Sequence, residues 1–136
     1  MNTRAWDPSM TLGIGLFDEA HEAMANQVEE MLRGPDEAFP QQLAALIECL
    51  EDDFRLEESL MECIDYPAIR SHREEHARVL ATLHRLPPED VAQGRRVVAL
   101  ILPWFQAHLA TADTALVTAL QLAGMASAPV QPAPAA

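Results

Sequence analysis

At 136 residues, 49% of them hydrophobic, the chain has enough material for one continuous core and too little for two domains of ordinary size. A formal charge of -12, with nine arginines and no lysine, is a poor match for phosphate backbones or anionic membrane surfaces and argues against nucleic acid and membranes as partners. No run of about 18 apolar residues is free of charge or proline, and the N-terminus MNTRAWDPSM lacks a signal-peptide core, so a soluble, cytoplasmic protein is expected.

Residues 1–16 have little helical periodicity, and they read as an ordered arm whose Trp6, Met10, Leu12 and Ile14 lie against a core. A first helix follows with Asp18 as its N-terminal cap, carrying Ala20, Met24, Val28 and Met31 at helical spacing until Gly34-Pro35. The second helix spans about Pro40 to Cys63, with a stripe of Leu43, Ile47, Leu50, Phe54, Glu57 and Met61, and ends at Asp65-Tyr66-Pro67. Its two cysteines, Cys49 and Cys63, would lie roughly 21 Å apart along the axis, too far to bond to each other.

A third helix runs from Ala68 to about His84. A fourth extends from Pro88 or Glu89 to Leu122, with a kink expected at Pro103. Four helices, short connections and no β-rich segment predict an all-α, up-down-up-down four-helix bundle over residues 1–123. The uncharged Ala/Pro-rich stretch 124–136 is expected to be a flexible tail.

Several residues do not belong on an apolar stripe. Asp53 and Glu57 are four apart on the core face of the second helix, beside Leu50 and Phe54, and buried carboxylates are costly unless paired or metal-bound. Glu51, Asp52 and Glu58 point toward solvent in the same phasing. His72 and His76 are also four apart, presenting two imidazoles from one face of the third helix, one turn apart. Short motifs of this kind often hold no metal. Here, however, the fourth helix adds His108 and Asp113 and the first adds His21, so all four helices can reach one mid-height layer; His84 is left as a surface residue. The step of five from His108 to Asp113 is awkward, because about 500° of rotation leaves the side chains roughly 140° apart. A local widening of the helix, or a carboxylate approaching from the flank, would reconcile them.

Together WDPSMTLGIGLFDEAH (6–21), DFRLEESLM (53–61), DYPAIRSHREEH (65–76) and WFQAHLATAD (104–113), in this order, resemble a bacterial hemerythrin over nearly all of the chain but the tail. The resemblance implies a bundle holding two non-haem irons through histidines and two bridging carboxylates, with O2 binding at the iron that has an open position. Carried over by position, it assigns His72, His76 and His108 to one iron, His21 to the other, and Glu57 and Asp113 to the bridges. Phe54, Phe105 and Leu109 would line the O2 pocket, and Trp6 and Trp104 would pack near the site.

The departure is Asp53, which stands where the family places a histidine on the second iron. Aspartate is shorter than histidine, and as a hard anionic donor it favours Fe(III) over Fe(II). The resemblance therefore implies O2 binding for storage, delivery or sensing. Asp53 leaves open a diiron redox enzyme reducing O2, peroxide or nitric oxide, or a metal-handling bundle with other metals, served by a separate redox or signalling partner.

Overall fold

A computed structural model describes residues 10–124; Trp6 and the tail from residue 125 onward lie outside the described residues. Helix α1 spans Gly15–Arg33, a 3-10 turn Asp36–Ala38, α2 Phe39–Cys63, α3 Ile69–His84, and α4 Val91–His108. A π-helical turn, Leu109–Asp113, joins α4 directly to α5, Thr114–Leu122, so that α4 and α5 form one rod and the bundle has four. The first rod packs on the second and fourth, and the third packs on the same two, as expected of antiparallel neighbours joined by short connections. Among the described residues there is no strand and no helix long and apolar enough to cross a membrane.

Local chemistry explains the boundaries. Asp18 lies inside the first turn of α1, not at its cap, and its carboxylate reaches back to accept the backbone N–H groups of Leu12 (2.8 Å) and Gly13 (3.1 Å). That pins the arm, and Met10, Leu12 and Ile14 pack against the core as expected. Helix α2 ends in a Schellman motif: Tyr66 N–H donates to the Met61 carbonyl at 2.9 Å and Asp65 N–H to that of Glu62 at 3.2 Å. Asp65 itself adopts φ 49°, a left-handed conformation that aspartate tolerates better than most residues. The last rod starts at Val91, two to three residues later than the sequence suggests, because Asp90 caps it by accepting from Gln93 N–H at 3.1 Å. Helix α4 continues through Pro103.

Two apolar clusters form the core. The larger contains Met24, Val28, Phe39, Leu46, Leu50, Leu83 and Val98, and the smaller Phe17, Met61, Tyr66, Leu116 and Leu120. In both α1 and α2 the buried face is turned slightly from the expected stripe: Phe17 and His21 are buried with Ala20 half-exposed, and Leu46 is buried with Ile47 half-exposed. The buried polar residues lie between the clusters, His21 between Phe17 and Met24 on α1, Asp53 and Glu57 between Leu50 and Met61 on α2. Both cysteines are free, Cys49 half-buried and Cys63 exposed.

Helix α4 approaches α2 closely at Gly94, where a Cβ would meet the Phe39 ring at 2.5 Å. Alanine would gain about 1 kcal/mol of helix propensity there but force the fully buried Phe39 out of place, typically costing about 1–3 kcal/mol. Gly94→Ala is therefore expected to lower the denaturant midpoint; a raised midpoint would show that the ring has room to move.

Candidate metal centre

The layer between the clusters contains His21, Asp53, Glu57, His72, His76, His108 and Asp113, all buried. These are the seven residues singled out from the sequence, and the fold brings them all together. One group consists of Glu57, His72, His76, His108 and Asp113, the other of His21, Asp53 and Glu57; within each, one ligand-type atom per residue lies within 4.8 Å of the others.

The five-residue step is accommodated by helix widening. Residues 109–113 form a π-helical turn, which brings His108 and Asp113 to one side with Nε2 and Oδ1 3.0 Å apart. Thr114 Oγ1 donates to the Leu109 carbonyl at 2.7 Å, giving that carbonyl a partner within the widened turn.

Glu57, common to both groups, and Asp113 each turn one oxygen toward the three histidines and the other toward His21. Glu57 Oε1 lies 3.1 Å from His72 Nε2 and 3.2 Å from His76 Nε2, while Oε2 lies 3.4 Å from His21 Nε2. Asp113 Oδ1 is 3.1 Å from His72 Nε2, while Oδ2 is 3.8 Å from His21 Nε2. Asp53 Oδ2 is 3.3 Å from the same His21 nitrogen.

Many of these approaches are not hydrogen bonds. Nε2 of His76 and His108, both oxygens of Asp113, Oδ1 of Asp53 and Nδ1 of His21 are buried without a hydrogen-bonding partner. Orphaned buried polar atoms cost free energy, and five of these, all but His21 Nδ1 (His21 meets the carboxylates through Nε2), call for something else to satisfy them. Two donor atoms at right angles, each about 2.1 Å from a common ion, lie about 3.0 Å apart, which is the spacing seen around the three histidines. The residues thus fit a bound metal ion.

Two carboxylates outside the layer orient two of the imidazoles. Glu75 Oε1 accepts from His108 Nδ1 at 2.7 Å, and Glu58 Oε2 from His76 Nδ1 at 3.0 Å. With its proton on Nδ1, each ring presents a lone pair at Nε2. The expectation that Glu58 is free in solvent is thus corrected: its side chain is only 30% exposed and faces an imidazole. Glu75 gave no signal in the sequence beyond adjoining His76, because its partner lies on another helix. Phe54 stacks on His76 at 3.8 Å and Trp104 on His108 at 4.8 Å, whereas Phe105 meets His21 edge-on at 5.2 Å. Leu109 is buried in the π turn. His84, as expected, is an exposed residue, 3.3 Å from Glu51.

The carboxylates also set the proton affinity of the imidazoles. Burial alone would strip the proton from His21, but hydrogen bonding to Asp53 and Glu57 and the charges of Asp53 and Asp113 outweigh it and raise the pKa to about 10. For His72, burial is likewise overcome by Asp113 and Glu57, which raise it to about 9. Against its own burial, Glu57 is held well below the usual carboxylate range by His21, His72 and His76. Asp53 moves the other way: burial and the charges of Glu57 and Asp113 raise it, in opposition to His21.

The family model of the hemerythrin HHE cation binding domain matches residues 12–120. The chain is also 31% identical over 123 residues to a bacteriohemerythrin from Ralstonia nicotianae, an alignment covering 88% of this chain and 90% of that protein. No solved structure matches.

Because the pKa of His21 and His72 is raised above the ordinary 6.5, their charged forms stabilise the chelator-treated protein fully below about pH 6.5. That contribution is lost as pH rises through about 9 to 10. Metal must displace these protons, so the increment in Tm from added metal should grow over the same range while the Tm of the treated protein falls. A metal increment that shrinks with pH would contradict this. Glu75→Ala is expected to weaken metal binding about 10- to 100-fold, measured by competition with a chelator, through loss of the acceptor that orients His108.

Proposed function

The chain belongs to the hemerythrin family, and on that premise we propose that it is a non-haem diiron protein that binds O2 for storage, delivery or sensing. The observation that carries this reading is the division of oxygens by Glu57 and Asp113, each turning one toward the three-histidine group and the other toward His21. Carboxylates placed in this way suit two ions side by side, as in the carboxylate-bridged di-iron helical bundles. His72, His76 and His108 would hold one iron, and His21 with Asp53 the other. The iron pair, when bound and reduced, supplies the electrons that O2 binding draws on.

The protein's own contribution is positioning and exclusion of water. Glu58 and Glu75 fix the rings of His76 and His108. Phe105 and Leu109 supply apolar surface beside His21 and the π turn, where a small uncharged ligand is favoured over water. Phe54 lies against His76, so it would supply the apolar surface on the three-histidine side.

Asp53 supports a second reading, a diiron redox enzyme that reduces O2, peroxide or nitric oxide with electrons from a separate partner. Its carboxylate stands beside His21, where the family resemblance would place a second imidazole as a neutral donor. An added negative charge stabilises the higher oxidation state, shortening the life of the reduced pair that reversible O2 carriage requires.

Metal analysis of the protein loaded anaerobically with Fe(II) is expected to give about two irons per chain; one or none would sink the diiron reading. Asp53→His is expected to lengthen the life of the O2-dependent visible absorption and its reversal under vacuum. An unchanged or shorter lifetime would remove Asp53 as the determinant.

A further inference from the structure

Glu58 divides its carboxylate between two residues of α3. Its Oε2 accepts from His76 Nδ1 at 3.0 Å, and its Oε1 lies 3.4 Å from Arg73 Nε. The same guanidinium donates through Nη2 to Oε2 of Glu62, one turn further along α2. Arg73 thus bridges two carboxylates of α2 with a planar donor set, and contact at both ends fixes where it sits. Ion pairs this exposed, 43% for Arg73 and 30% for Glu58, add little stability by themselves. Their effect lies in where they leave the Glu58 carboxylate, since a glutamate beside water keeps its rotamer freedom unless something holds it.

His76 needs that carboxylate in place. Its Nε2 is buried without a hydrogen-bonding partner, 3.2 Å from Glu57 Oε1. The ring of Phe54, stacked on the imidazole at 3.8 Å, restrains the ring plane but does not decide which nitrogen carries the proton. His108 is held differently: Glu75 accepts from its Nδ1 at 2.7 Å, and among the described residues no arginine pairs with Glu75.

We propose that Arg73 is a positioning residue of the metal centre, gripping Glu58 so that its carboxylate stays on His76 Nδ1 and the Nε2 lone pair stays aimed at the ion shared with Glu57. The proposal rests on the reading of the layer as a metal centre. Without Arg73, Glu58 swings toward solvent and the His76 proton can move to Nε2, where the ring is a donor and no longer a ligand.

The test uses Arg73→Met, which keeps an apolar stem and removes the guanidinium. In chelator-stripped protein, solvent exchange of the Nδ1-bound proton of His76, followed by heteronuclear NMR of histidine-labelled chains, should quicken about 3- to 10-fold, with that of His108 unchanged. Anaerobic Fe(II) affinity, measured by competition with a chelator, should fall about 3- to 10-fold in Arg73→Met and about 10- to 100-fold in Glu58→Ala. The double variant should match Glu58→Ala alone, because both changes remove one arrangement. Unchanged exchange at His76, or equal quickening at His108, would overturn the proposal. Additive losses of affinity would also overturn it, placing the effect of Arg73 in its contact with Glu62 and the docking of α3 on α2. A wild-type protein that binds no iron would overturn the metal reading instead, and the proton exchange, which needs no metal, tells the two failures apart.

Discussion

The constraint on which the rest of the structure depends is the burial of three carboxylates and four imidazoles in one layer. Such groups are tolerated inside a protein only when each negative charge has a positive counterpart, and here the counterparts come from three different rods. Glu57 illustrates the dependence: its proton affinity is held down by histidines of α1 and α3, so neither helix can turn about its axis without stranding a charge. The apolar clusters on either side supply the hydrophobic stabilisation, and the polar layer dictates how the rods are rotated relative to one another.

The π turn follows from the same constraint. A regular helix would place Asp113 well away from His108, and the widened turn instead brings both to the layer. The Thr114 hydroxyl bonded to Leu109 satisfies a carbonyl inside the turn, and the turn has regular helix on both sides, which holds the irregularity in place.

The layer is not symmetric. At one end are three imidazoles, two of which, His76 and His108, are oriented by outer carboxylates and covered by aromatic rings. At the other, one imidazole is joined by a third carboxylate that lines an open groove. Charge and exposure differ between the two ends, and Asp53 is the residue in which both differences meet.

What the sequence determined by itself is whatever depends on neighbours along the chain. The rods, their Gly-Pro and Asp-Tyr-Pro breaks, the four-residue steps of Asp53–Glu57 and His72–His76, and the difficulty of the His108–Asp113 step are all properties of a single helix, and all were legible. Only the tertiary structure decided what depends on rotation between helices. Leu46 rather than Ile47 faces the core, Asp18 serves the arm rather than the helix end, and Glu58 and Glu75 are acceptors for imidazoles on neighbouring rods. The physical reason is that helical periodicity fixes which residues share a face, whereas packing of the rods fixes what that face meets.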